Sequence, residues 1–206
     1  MNSKQIKMER IITTATRLFV EFGFEQTSMQ KIADDANIGV ATLFRYFPKK
    51  ELLIVAVIEQ VIEEMVPLFS AISESEKSGL AKMEMILDAY IDCLIHAKQA
   101  PVILLENFDY YLTYHPIDRE LVKQIQQSYK KIGLLVERTI KEGVADGSIT
   151  LTSEEMPNAM TIMNLFGTAI KKHSFNYLAN IGIFPIPSKA ELTAIKTLIL
   201  RYLAQK

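Results

Sequence analysis

The chain has 206 residues, of which 49% are hydrophobic and 23% charged, and its formal net charge is −1. This composition is typical of a globular protein with a substantial core, and the single cysteine, Cys93, excludes an internal disulfide and a multi-cysteine metal site. The longest uncharged run, residues 156–170, is shorter than the roughly 20 apolar residues of a membrane helix. No signal-peptide pattern is present, so we expect a cytoplasmic protein that has no membrane partner.

Positive charge is concentrated in the N-terminal part of the chain. Residues 1–50 contain eight Lys/Arg and five Asp/Glu, a balance of +3, whereas residues 51–206 contain fifteen and nineteen, a balance of −4. A negatively charged partner would therefore be attracted to residues 1–50.

The first predicted elements are a long helix and the start of a short one. Apolar residues recur at helical spacing over residues 11–22, and Gly23 lies where this helix is expected to end. The stretch TSMQ then predicts a capping box, in which Thr27 is the N-cap of the second helix and the side chain of Gln30 reaches back to it.

A tight turn and a third helix are predicted next. Asn37 and Gly39, in the stretch ANIG, tolerate backbone conformations that other residues resist, and a helix follows at about residues 40–46. Leu43 and Phe47 are four residues apart and are expected to face the core, which leaves the rest of this helix facing outward. Two short helices joined in this way predict a helix-turn-helix motif, whose second helix enters a DNA major groove about 12 Å wide.

The remainder of the chain predicts longer helices and no strand. A fourth helix begins at about residue 49, and the last, opened by a second capping box from Ser188 to Glu191, covers about 188–205. Between them, helices are expected near residues 80–98, 102–114, 118–145 and 154–180. The predicted fold is all-α with about nine helices, in a small N-terminal bundle of three helices (residues 1–50) and a larger helical bundle (residues 51–206).

Residues 10–53, RIITTATRLFVEFGFEQTSMQKIADDANIGVATLFRYFPKKELL, resemble the DNA-binding domain of the TetR/AcrR family of transcriptional regulators. The resemblance implies a homodimer that binds a palindromic operator in double-stranded DNA, most often as a repressor, and that is released by a small-molecule effector. In this interpretation residues 51–206 form the ligand-binding and dimerisation domain. The alternative is an all-α ligand-binding or scaffold protein whose N-terminal bundle makes only protein contacts.

The resemblance also assigns DNA contacts to individual residues. The candidates for phosphate contact are Thr27 or Ser28 at the start of the second helix, Thr42 and Tyr46 in the third, and Lys50 with Lys49 in addition. The candidates for base-edge contact are Gly39, Val40, Ala41 and Arg45, with Lys31 as a further one, and Phe44 completes this outer face.

The third helix carries few hydrogen-bonding side chains. Val40 lies where the family often has a polar residue, and Phe44 lies where it often has a tyrosine. Arg45 and Thr42 are therefore its main hydrogen-bonding side chains. We predict that Val40 and Ala41 contact thymine methyl groups and that Arg45 contacts a guanine edge or a phosphate.

Methionine and aromatic residues are frequent over residues 83–175. Core packing is the ordinary interpretation of such residues, and a ligand cavity is the functional one. The resemblance favours a cavity among helices 5 to 8. Its candidate residues are Tyr90, Glu106, Phe108, Tyr111, His115, Met163 and Phe166.

Helices 8 and 9 carry apolar residues on more than one side, which predicts that each packs against its own bundle and against a second surface. The resemblance assigns that second surface to a four-helix homodimer interface; the alternative is a fully buried helix in a monomer. The candidate interface residues are Met160, Gly167, Ile170, Ile195, Ile199 and Tyr202.

The sequence carries none of the common catalytic motifs. The three histidines lack metal-ligand spacing, and neither a glycine-rich phosphate loop nor a serine nucleophile elbow occurs. We predict that the protein is not an enzyme and uses no cofactor or metal ion. Cys93 is expected to be a buried, inert thiol, with redox sensing as the alternative.

Overall fold

The computed structural model describes residues 3–95, 99–179 and 188–204, without the side chains of residues 93–95, 99, 102, 170–179 and 189. The side chains of Cys93 and Ile170 therefore lie outside the described part. Within these ranges the chain forms nine α-helices and no strand, so the all-α prediction is confirmed. They are α1 (Ser3–Gln26), α2 (Met29–Asp35), α3 (Val40–Tyr46), α4 (Lys50–Ser73), α5 (Gly79–Ile95), α6 (Gln99–Tyr114), α7 (Arg119–Ala145), α8 (Met156–Ala179) and α9 (Lys189–Ala204).

The chain divides into two compact units. The first unit comprises Met1–Glu64 and Ile103–Ser128, and the second comprises Met65–Val102 and Tyr129–Lys206. Helices α1 to α3, here called the reading head, belong to the first unit together with parts of α4, α6 and α7. The division into domains of residues 1–50 and 51–206 stays a prediction.

Helix α1 is interrupted at Gly23. This residue has φ 78° and ψ 169°, a backbone conformation that residues with a Cβ atom rarely adopt. Phe24 then turns into the core, where it is 3% exposed and its ring centroid lies 4.9 Å from that of Phe19. The predicted end of the first helix at Gly23 is therefore confirmed.

The break at Gly23 changes the role of Thr27. Thr27 is fully buried, and its hydroxyl donates to the carbonyl oxygen of Gly23 at 2.8 Å and to that of Leu18 at 3.2 Å. The Gly23 carbonyl lies at the break in α1, where regular helical hydrogen bonding is interrupted. Thr27 is drawn inward to supply a donor and does not cap α2.

The N-cap of α2 is Ser28, one residue later than predicted. Its hydroxyl accepts a hydrogen bond from the backbone N–H of Lys31 at 3.1 Å, while the side chain of Gln30 donates to Asp34 at 2.7 Å. The predicted capping box of Thr27 and Gln30 is therefore wrong. Serine serves equally well as an N-cap, so the shift costs the helix nothing.

Helices α5 and α7 meet closely within the second unit. The backbone N–H of Gly79 donates to Asp146 at 2.8 Å, and the N–H of Leu80 donates to the Ser148 hydroxyl at 3.0 Å. Residues after the end of α7 therefore satisfy the free N–H groups at the start of α5. One turn further on, the ammonium of Lys82, which is 7% exposed, lies 2.7 Å from the Glu142 carboxylate.

Helix α9 packs against α5 in the same unit. The predicted capping box is confirmed, because Ser188 N–H donates to the Glu191 carboxylate at 2.5 Å and Glu191 N–H donates to the Ser188 hydroxyl at 3.3 Å. The ammonium of Lys196 joins the two helices through Asp88 at 2.8 Å and Glu84 at 3.2 Å. Both contacts raise the pKa of Lys196, the one to Asp88 most.

Candidate DNA-binding surface

The turn between α2 and α3 depends on Asn37. Its φ of 51° places it in the left-handed region, as its side chain allows. The backbone N–H of Asn37 donates to Asp34 at 3.0 Å, and that of Ile38 donates to Ala33 at 3.0 Å. The chain therefore reverses tightly and α3 begins three residues after Asn37, as the sequence predicted.

Two side chains anchor α3 in the core. Leu43 is fully buried and Phe47 is 6% exposed, in a unit whose core includes the fully buried Ile32 and Ala33 of α2. Burying a leucine and a phenylalanine contributes about 1.5–3 kcal/mol each, enough to hold a short helix in one orientation. The prediction that Leu43 and Phe47 face inward is confirmed.

The opposite side of α3 faces solvent. Ala41, Phe44 and Arg45 are exposed, Phe44 by 44%, and the other outer residues, Val40, Thr42 and Tyr46, are half-buried. An exposed phenylalanine beside an exposed arginine on a helix of seven residues offers one apolar and one cationic contact. This face has the size and chemistry to enter a major groove.

The start of α3 is unobstructed. Gly39 is its N-cap in extended conformation, and no side chain makes a capping hydrogen bond there. Its carbonyl accepts from the N–H groups of Thr42 at 2.8 Å and Leu43 at 3.1 Å. Nothing lies within 4 Å of the position that a Cβ on Gly39 would occupy. A DNA backbone or base edge could therefore approach this end closely.

The candidate cations differ in how freely they reach solvent. Arg45 and Lys49 are exposed. The ammonium of Lys31 lies 3.3 Å from the ring centroid of Phe22, a cation–π contact of about 0.5–1 kcal/mol that DNA would have to replace. Lys50 is half-buried with its ammonium 3.4 Å from the Glu25 carbonyl, and burial lowers its pKa.

Three acidic residues of the reading head are engaged by neighbours. Asp35 lies 2.6 Å from Arg17, which also lies 3.7 Å from Glu21, and Asp34 accepts from Gln30. These contacts hold the three carboxylates against α1 and α2, and α3 itself contains no acidic residue. Of the two candidates at the start of α2, only Ser28 is exposed, since Thr27 is fully buried.

The predicted pocket residues fall into two sets. In the first unit, Phe108 and Tyr111 pack on Phe24, with ring centroids 6.5 and 5.7 Å apart. The His115 ring stacks on Tyr111 at 4.4 Å, and its Nε2 lies 2.9 Å from the Glu25 carboxylate. Glu106 is also in this unit and is 7% exposed. Four of the seven residues therefore belong to the unit that contains the reading head.

The second set lies in the second unit. The ring of Tyr90 is 6.5 Å from that of Phe166 and 5.1 Å from that of Phe69, while Met163 is 4% exposed. These residues form an aromatic and methionine core between α5 and α8. Phe69 is an additional member that the sequence analysis missed, although its aromatic character was visible in α4.

The predicted interface residues are placed unequally. Gly167 faces α5 of its own chain, because a methyl group there would lie 3.7 Å from the Tyr90 ring, and Ile199 is only 6% exposed. Met160 and Tyr202 are half-buried and Ile195 is 38% exposed. The side chain of Ile170 lies outside the described residues. As interface residues all six stay predictions.

Two leucines are better placed for an interface than most of that set. Leu165 on α8 and Leu198 on α9 are each 63% exposed. The signal for them was present in the sequence, since both belong to the second apolar side of their helices. Their exposure in the folded unit distinguishes them from other apolar residues of the same helices, such as Met163, Phe166 and Ile199, which are buried.

The described ranges contain neither a helix long and apolar enough to cross a membrane nor a group of three or more His, Cys, Asp or Glu side chains that could hold a metal ion.

The sequence profile described as "Bacterial regulatory proteins, tetR family" matches residues 11–57. An HTH-type transcriptional regulator of Staphylococcus aureus (strain USA300) is 33% identical over 90 residues, which are 44% of this chain and 49% of that relative. The chain thus spans about half the length of the curated relatives it matches.

Solved structures share the fold over nearly the whole chain. A TetR-family transcriptional regulator from Agrobacterium tumefaciens has a TM-score of 0.71 at 18% identity, covering 97% of this chain and 98% of the other. The transcriptional regulator FadR from Bacillus subtilis, solved in complex with stearoyl-CoA, has a TM-score of 0.66 at 17% identity and covers 95% and 97%.

A helix-turn-helix whose second helix is anchored by two core side chains and exposed on its other side is the arrangement found in helix-turn-helix DNA-binding domains. The match to residues 11–57 and the identity to the Staphylococcus aureus regulator confirm the predicted resemblance to the TetR family of bacterial regulatory proteins, and the solved structures of that family share the fold. Members of this family are transcriptional regulators and not enzymes, which agrees with the prediction of no enzymatic activity.

Proposed function

We propose that the protein regulates transcription by binding a palindromic operator as a homodimer, as a repressor that a small-molecule effector releases. The observation that carries the proposal is α3, where Leu43 and Phe47 are buried while Ala41, Phe44 and Arg45 are exposed. An operator is part of the bacterial chromosome, so the proposed protein acts in the cytoplasm.

The candidate residues of this surface have separate proposed roles at the DNA. Val40 and Ala41 contact thymine methyl groups, and Arg45 contacts a guanine edge. Ser28, Thr42, Tyr46, Lys49 and Lys50 contact phosphates, which position the reading head without reading sequence. Gly39 allows close approach, while Lys31 and Phe44 lie at the edges of the contact. Thr27 has no place in this set, because it is fully buried.

The exposed apolar residues of α8 and α9 support the homodimer. Leu165 and Leu198 are each 63% exposed and Ile195 is 38% exposed. Covering such side chains contributes roughly 25 cal/mol per Å² of apolar surface removed from water. A second copy of the chain would cover both helices at once, and its reading head would supply the second half-site contact.

The effector is proposed by analogy with the fold. FadR from Bacillus subtilis was solved in complex with stearoyl-CoA, so a protein of this fold holds a small molecule. Aromatic side chains of the kind that line adaptable apolar sites occur in both units, around Tyr111 in the first and around Tyr90 in the second.

The proposal is tested by binding the protein to labelled DNA from upstream of its own gene, with a shuffled duplex of the same composition as control. Fluorescence anisotropy at about 0.1 M salt should show binding to the upstream DNA at least tenfold tighter than to the control. Equal, weak binding to both at all salt concentrations would instead support an all-α ligand-binding or scaffold protein.

A further inference from the structure

Glu106 is a buried carboxylate for which the described part of the chain supplies no partner. The residue is 7% exposed, and none of the described residues gives it a hydrogen bond or an ion pair. By contrast, Lys82, equally buried, lies 2.7 Å from Glu142. A buried charge is costly unless it is paired, and a ligand that carries the opposite charge would remove this cost.

Two exposed tyrosines follow Glu106 on the same side of α6. Tyr110 and Tyr114 are four and eight residues further along the helix, a spacing that places all three on one face over roughly 12 Å. Each tyrosine is 63% exposed, and their ring centroids are 5.1 Å apart with an angle of 56° between the planes. All three residues belong to the first unit.

This face carries groups that interact favourably with a cation. The pKa of the Tyr110 hydroxyl is raised, mainly by the Tyr114 hydroxyl and in part by the Glu25 carboxylate. The faces of aromatic rings also attract cations, through the ring quadrupole, with about 0.5–1 kcal/mol at exposed sites. A carboxylate at one end and two ring faces at the other therefore favour the same type of ligand.

We propose that the face of α6 defined by Glu106, Tyr110 and Tyr114 binds an organic cation with an apolar or aromatic body. The cationic centre pairs with the Glu106 carboxylate, and the body lies against the two tyrosine rings. This cation is the effector of the regulator, so the inference rests on the proposed function. An anionic ligand such as an acyl-CoA is disfavoured, because its charge would meet an uncompensated carboxylate.

The experiment uses two ions of nearly equal size and opposite charge, tetraphenylphosphonium and tetraphenylborate, on the full chain. We expect calorimetry to show binding of the phosphonium and at least tenfold weaker binding of the borate. The Glu106→Gln variant, which keeps the shape and removes the charge, should lose about tenfold or more in phosphonium affinity. Glu76→Gln, an equal charge change at an exposed residue, should leave it unchanged.

The tyrosine contribution is tested separately. Tyr110→Phe keeps the ring and should bind the phosphonium as the wild type does, while Tyr110→Leu should bind it a few-fold more weakly. Similar affinity for the two ions, or an unchanged phosphonium affinity in Glu106→Gln, would overturn the proposal. Release of the DNA by stearoyl-CoA and not by the phosphonium would also overturn it.

Failure of the two proposals can be told apart. Binding to the upstream DNA is measured on the same preparation without added ions. A protein that binds DNA specifically but ignores the phosphonium contradicts only the cation site. A protein that binds the phosphonium through Glu106 but no DNA contradicts the proposed regulatory function, and the cation then cannot be its effector.

Discussion

Gly79 and Gly143 pack so closely that a methyl group on Gly79 would lie 2.1 Å from the Cα atom of Gly143. The same methyl group would lie 2.9 Å from the carbonyl oxygen of Thr139. These neighbours are backbone atoms of α7, which cannot rotate away as a side chain can. The hydrogen bonds that the backbone N–H groups of Gly79 and Leu80 donate to Asp146 and Ser148 depend on this close approach.

The first prediction follows from that contact. Gly79→Ala should lower the free energy of unfolding by about 1–3 kcal/mol or more, because α5 must move away from α7. Gly133→Ala is the matched control, since Gly133 lies inside α7 with nothing within 4 Å of its Cβ position and should gain about 0.5–1 kcal/mol. Denaturant unfolding followed by circular dichroism measures both. A neutral Gly79→Ala would contradict the observed packing.

The second prediction separates Thr27 from Ser28. Thr27→Val keeps the shape but removes the donor to the Gly23 and Leu18 carbonyls, and should cost about 1–3 kcal/mol of stability. Ser28→Ala removes the N-cap of α2 and should cost about 1 kcal/mol. At a temperature where both variants are folded, only Ser28→Ala should weaken DNA binding. Weakened DNA binding by a fully folded Thr27→Val would show that Thr27 acts on DNA after all.

The third prediction concerns Arg45. If it reads a guanine edge, Arg45→Ala should lose about 1–3 kcal/mol against the cognate site and much less against sites altered at that base pair. Binding is measured by anisotropy on a panel of single-base operator variants. An equal loss on every duplex would mean that Arg45 contacts a phosphate.

The fourth prediction concerns Lys50, for which the opposite pattern is expected. Lys50→Ala should weaken binding to all duplexes alike, and the slope of log affinity against log salt should become shallower by about 1. Lys49→Ala should act in the same way, to a similar or smaller extent. A sequence-dependent loss in either variant would assign that lysine to base reading instead.

The fifth prediction tests the dimer. Leu165→Glu combined with Leu198→Glu should give a particle near the chain mass of 23.4 kDa in light scattering at micromolar concentration, whereas the wild type should give twice that mass. Leu134→Glu is the control, because Leu134 is 53% exposed on α7 and should not change the mass. A wild-type mass near 23.4 kDa would refute the homodimer.

Much of the fold could be predicted from local sequence, because helix formation depends on spacing and on signals within a few residues. The recurrence of apolar residues at helical intervals, Asn37 at the turn and the Ser188–Glu191 capping box all act over one or two turns of chain. Leu43 and Phe47 were predictable for the same reason, since their separation places them on one side of a helix whichever core receives them.

The tertiary structure alone decided which of several equivalent side chains does which task. Thr27 and Ser28 are equally good caps by sequence, and the backbone break at Gly23 draws the first inward and leaves the second exposed. Gly167 and Leu165 are both apolar positions of α8. In the folded chain Gly167 faces Tyr90, whereas Leu165 lies on another side of the helix and is exposed. Glu106 looks like an ordinary helical glutamate in the sequence, and its burial, with no partner among the described residues, is a property of the tertiary structure. Local order depends on neighbours along the chain, whereas burial and pairing depend on which distant segments come to lie beside them.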